Sequence, residues 1–160
     1  MLFRSTAAPF KELVARIEAQ DALSAPDRKT VVLPGTSEAL PGSGSVLIVA
    51  TPDHQSQVQS LIAESCGDLA EVGTGGFRVA GTTYEGRRMA VLLSCHRADA
   101  PSSVVTLLYA VDPAAATKVA RLLFFYGWQS AVVFDEGTVT KRDMWQEYQA
   151  MKEVRLEEQQ

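Results

Sequence analysis

The sequence predicts an α/β fold, with a mixed sheet of about four to six strands and helices packed on it. Three observations carry this expectation. Four short apolar runs, 46–50, 89–94, 104–111 and 131–134, are continuous rather than alternating, as in strands covered on both faces. Segments with helical spacing fall between these runs, the pattern of an α/β domain. The link 96–103 is too short for a crossover helix, so it joins two of the runs as an antiparallel hairpin and argues against a purely parallel sheet.

In chain order, Phe10, Leu13, Val14 and Ile17 form one apolar stripe of a first helix, with Pro9 suited to its first turn. The stripe fades over 19–25, Pro26-Asp27 ends it, and 31–33 follows as a short strand. The Ser-, Gly- and Pro-rich stretch 36–44 reads as a linker, dividing an N-terminal arm (1–44) from an α/β domain with a C-terminal helix (45–160). After the strand 46–50, Thr51-Pro52-Asp53 turns into a helix with Val58, Leu61 and Ile62 on its inner face. A glycine-rich turn at 72–76, a short strand at 77–80 and a turn at 82–86 lead to the two strongly apolar strands. Asp112-Pro113 starts a helix, aspartate at the cap and proline in the first turn, running through Val119, Leu122, Leu123 and Phe125 to Gly127. After the strand 131–134 and the turn 135–137, Thr140 and Asp143 read as a capping pair for a last helix with Trp145, Tyr148 and Met151 or Lys152 on one side.

Composition narrows the function. The 160 residues are 46% hydrophobic and 21% charged, the balance of an ordinary globular domain. Fifteen basic against nineteen acidic residues leave a net charge of −4, so no basic face is expected to serve nucleic acid. No stretch reaches the ~18 apolar residues of a membrane span. The N-terminus lacks the apolar core of a signal peptide, so the cytoplasm is the default compartment, with the periplasm or secretion following if a signal was removed. Cys66 and Cys95 have no metal-site spacing and read as two free thiols, at least one of them buried, with a bridge as the alternative.

The candidate site residues are each explained by structure as readily as by chemistry. The cluster Gly73, Gly75 and Gly76 leads into a strand with no lysine after it, so it reads as a turn rather than a phosphate cradle. Asp53 and His54 follow the first buried strand, at the carboxyl end where open α/β sheets bind ligands. Helix capping by Asp53 and a solvated first-turn His54 explain them equally. Ser94, Cys95 and His96 resemble a nucleophile and base in a row, but successive strand residues point to opposite faces. With Thr51, the carboxylates Asp53, Asp112 and Asp135 end three different strands, and such a set serves a small-molecule or hydrolytic site only if the strand ends converge. No catalytic residue, metal ligand or cofactor site is assigned. Phe124-Phe125-Tyr126-Gly127-Trp128 is the densest aromatic patch, with more rings than one helix end buries in one direction.

The stretch from Leu122 to Phe134, with its aromatic-glycine centre Phe125-Tyr126-Gly127-Trp128 and aromatic strand, continued by 141–145, resembles a segment of certain bacterial zinc aminopeptidase-like proteins. In that class the segment lies in a small α/β domain after the catalytic region, and the resemblance spans about 45–145. This chain departs from the class at its histidine-tyrosine-glycine-lysine centre, and it lacks the zinc motif. The resemblance therefore implies an accessory domain and no catalytic residue. The function expected from the sequence is a non-enzymatic module acting through protein–protein contacts, as a homo-oligomer or with a partner. Its surface would be Phe125, Tyr126, Trp128, Trp145 and Tyr148. The alternative is a small-molecule binding or hydrolytic domain built on Thr51, Asp53, His54, Asp112 and Asp135.

Overall fold

In the computed structural model, residues 2–4, 15, 19, 32–34, 39–40, 42–100, 102–120, 122 and 130–143 are described. The strands among the described residues are β1 (Leu2–Arg4), β2 (Val32–Pro34), β3 (Val46–Ala50), β4 (Ala70–Val72), β5 (Gly76–Val79), β6 (Thr82–Glu85), β7 (Met89–His96), β8 (Val104–Ala110), β9 (Ala131–Asp135) and β10 (Thr138–Asp143). Helix α1 spans Gln55–Cys66 and α2 spans Pro113–Ala120, with short 3-10 turns at Pro52–His54 and Gly67–Leu69.

The mixed sheet expected from the apolar runs is present, in the order β10-β9-β7-β8-β3-β1-β2. β3 lies parallel to β8, while β7 runs antiparallel to both β8 and β9. The long strands are apolar on both faces over most of their length because they feed two cores. Val46, Ile48, Ala50, Met89, Val91, Leu93, Val105, Leu107, Ala131 and Val133 face the side of α1, where Val58, Leu61 and Ile62 are buried as expected. Val49, Ala90, Leu92, Leu108, Val132 and Phe134 face the other side, against Ala115, Ala116 and Val119 of α2. The two faces follow from the two-residue period of a strand.

A separate antiparallel sheet, β4-β5-β6, packs Ala70, Val72, Phe77 and Val79 into the α1-side core. Its β4 edge is closed by a side-chain clamp. Gln55 Nε2 donates to the Val72 carbonyl at 2.8 Å, and the Val72 N–H donates to Gln59 Oε1 at 2.8 Å. Two glutamines one helical turn apart thus satisfy both backbone groups that a further strand would have paired. Within the glycine cluster, Gly76 has a steric cause, since a Cβ there would collide with the Tyr84 carbonyl oxygen across the β5–β6 pair.

Four expectations are corrected. The segment expected as a turn at 82–86 is largely strand β6, which pairs with β5 through a two-residue turn at Ala80 (φ 48°) and Gly81 (φ 83°). Thr140 and Asp143 do not open a helix. They lie in β10, which returns along β9 through the turn Glu136 (φ 52°) and Gly137 (φ 81°). Both two-residue turns have positive φ at both positions, the geometry that matches strand twist. Asp53 does not cap α1; His54 occupies that position without a side-chain cap bond. Finally, Cys66 and Cys95, both buried as expected of at least one, are not free but joined in a disulfide, with Cα atoms 5.4 Å apart. The expected helix start at Asp112-Pro113 is present, and α2 closes at Ala120 with Leu122 in a turn. Most of the first helix, the stretch 123–129 and everything beyond 143 lie outside the described residues.

Candidate functional site

Topology does bring the predicted strand-end residues to one edge of the main sheet. β3 and β8 are parallel, and β9 runs with them across the intervening antiparallel β7, so their carboxyl ends share an edge. Thr51 follows β3, Asp112 lies two residues past the end of β8, and Asp135 ends β9. Convergence stops there. β9 and β3 are three strand spacings apart, about 14 Å. The connections also diverge, with Pro52–His54 leading to α1 on one face and Asp112 to α2 on the other.

The polar groups along this edge have local partners. Asp112 Oδ1 accepts the Ala114 N–H at 2.9 Å, a helix N-cap. Asp135 is held by Arg88, with Nε 3.2 Å from Oδ1 and Nη2 3.3 Å from Oδ2. Next to it Glu136 binds Lys118 Nζ at 2.8 Å and lies 3.7 Å from Arg88 Nη1. The Lys118 hydrogen bond, the Lys118 charge and then Arg88 hold the Glu136 carboxyl below its usual range. These four side chains line an open groove of about 460 Å³ with Thr138 and Thr140, and their ion pairs join α2 to the β9–β10 hairpin and the start of β7.

The β3 end is the least committed part of the edge. Thr51 is buried, 2% exposed, and its Oγ1 donates to Asp53 Oδ2 over 3.5 Å, while Asp53 itself is exposed. His54 Nδ1 lies 3.2 Å from Gln57 Oε1. Behind them stands Tyr109, a residue the sequence reading did not single out. Its hydroxyl donates to the Gly73 carbonyl at 2.6 Å, tying β8 to the β4–β5 turn. Burial first, and the nearby Asp53 carboxylate second, push its pKa up to about 12. A lone phenol in an aliphatic strand was the available signal, since a buried Tyr hydroxyl needs a partner.

The Ser94-Cys95-His96 row divides as strand geometry requires. Ser94 Oγ pairs with Thr106 Oγ1 at 2.9 Å across β7–β8, and the Cys95 sulfur is committed to Cys66. Arg97, also missed by the sequence reading, has a fully buried side chain. Its Nε and Nη2 donate to Asp99 at 2.8 and 2.6 Å, and its Nη1 donates to the Gly44 carbonyl at 2.9 Å.

Among the described residues no three His, Cys, Asp or Glu side chains gather to hold a metal ion. Leu69, 41% exposed, is the exposed large hydrophobic residue among them. The aromatic surface residues Phe125, Tyr126, Trp128, Trp145 and Tyr148 lie outside the described residues. No described helix is long and apolar enough to cross a membrane. No family model, curated protein or solved structure matches this chain.

Proposed function

We propose that this chain is a non-enzymatic α/β module that works through protein–protein contacts, as a homo-oligomer or as an accessory subunit of a larger assembly. One observation supports it above the rest. Three of the four carboxylates named at the carboxyl edge of the sheet are spent on the scaffold, Asp112 on a helix cap and Asp135 and Glu136 on ion pairs. The edge holds elements together instead of presenting an acid, a base and a nucleophile to one point, as a hydrolytic site demands. The binding surface in this reading is the aromatic set Phe125, Tyr126, Trp128, Trp145 and Tyr148, the residue types enriched where interfaces form. For the compartment, the Cys66–Cys95 bridge favours an oxidising one over the cytoplasmic default.

The test is Trp128→Ala in the full chain. The expected result is a folded protein that dissociates or releases its partner; an unchanged oligomeric state counts against the aromatic surface.

A second reading has one observation in its favour. Asp53, relieved of capping, sits exposed beside His54 and near Tyr109, so a small polar ligand at the β3 end would meet Thr51, Asp53 and His54. That reading expects His54→Ala to fold normally and lose ligand binding. Retained binding removes it.

A further inference from the structure

Three ties converge on one junction of the molecule. Cys66, the last residue of α1, is bonded to Cys95, next to last in β7, and both are buried in the α1-side core. One residue before Cys66, Ser65 Oγ accepts the Ala98 N–H at 3.3 Å. Two residues after Cys95, buried Arg97 grips Asp99 and the carbonyl of Gly44, which precedes β3. The end of α1, the end of β7 and the approach to β3 are therefore fixed at one point.

We propose that the Cys66–Cys95 bridge is a permanent structural bond made during maturation, not a reversible switch. A switch needs a sulfur that an attacking thiolate can reach along the S–S axis. Cys66 and Cys95 are 3% and 2% exposed, and the Ser65 and Arg97 bonds fix the chain beside each of them. The bond forms by thiol–disulfide exchange with a disulfide-bearing oxidant. The two thiols lose two protons and two electrons as the S–S bond forms, and the oxidant's disulfide becomes two thiols. The inference stands apart from the interaction reading and does not depend on it.

The test labels thiols in the full chain produced in an oxidising host. The native protein is expected to take no label, to stay unlabelled with a small-molecule dithiol present, and to take two labels once dithiol and denaturant act together. Two labels in denaturant without reductant overturn the bridge, and two labels with dithiol but no denaturant overturn its permanence. As a second variant, Cys66→Ala with Cys95→Ala is expected to melt about 10 °C lower than the bridged chain. A double variant melting with the bridged chain overturns the structural role, and one that fails to fold upholds it.

Discussion

Tyr109 is the residue whose environment makes the sharpest solution prediction. Its pKa is raised in the fold, so the folded state keeps the proton where the unfolded chain has lost it. The stability this contributes is complete below the unfolded value near 10 and is lost as pH rises toward about 12. Urea midpoints measured across that window are expected to fall in the native chain and to fall less in Tyr109→Phe. Asp99 gives the opposite sign. The Arg97 hydrogen bond holds its carboxyl low, so its contribution is present above the unfolded value and lost on acidification. Asp99→Asn is expected to destabilise the chain at neutral pH and to flatten its acid limb, because it strips the buried Arg97 of its counter-charge. Ala80 is strained at positive φ in an exposed two-residue turn. Ala80→Gly is expected to raise stability by about 1 kcal/mol, read by chemical denaturation. Tyr109 and the burial of Arg97 were not legible in the sequence, for a shared reason. The partner of Tyr109 is 36 residues away and one partner of Arg97 is 53 away, so neither leaves a local pattern. Asp112 was legible because its cap reaches only two residues along the chain.

Elements were legible in proportion to how deeply they are buried. β3, β7, β8 and β9 announced themselves as continuous apolar runs because both of their faces meet a core. β6 and β10 did not. β6 is Thr82-Thr83-Tyr84-Glu85, mostly exposed, and β10 carries Lys141 and Arg142 at the rim of the main sheet. Such edge strands are defined by the strand they pair with, not by their own hydrophobic pattern. Thr140 and Asp143 imitate a capping pair, yet the Thr140 hydroxyl donates to the Val133 carbonyl across the hairpin, and pairing with β9 outweighs the local helix signal. Two substitutions probe this level. Gly76→Ala is expected to cost about 2 kcal/mol or more and to loosen the small sheet, because its methyl meets backbone that cannot retreat. Gln59→Ala is expected to cost about 1 kcal/mol and to speed hydrogen exchange at the Val72 amide, which loses its acceptor. An unchanged exchange rate at Val72 would remove the clamp from the account.

At the scale of the whole molecule, one mixed sheet separates two cores, and covalent and ionic ties join its layers. The disulfide closes a separation of 29 residues, for which chain entropy gives a stabilisation of about 3–4 kcal/mol. The ions at the opposite edge join α2 to the β9–β10 hairpin, where exposed pairs count for less. Architecture of this kind was readable from the order of apolar runs; the candidate ligand site was readable only as a set of strand ends. Whether such ends meet depends on the strand order and on which face each connection takes, and neither is written in local sequence. The central claim is that the molecule acts by assembly with protein and not by chemistry at that edge. Native mass spectrometry of the purified full chain tests it most directly. The account predicts a discrete oligomer, or a stoichiometric complex with a co-purified protein, that carries no non-protein mass. A monomer carrying one equivalent of a bound small molecule would contradict it.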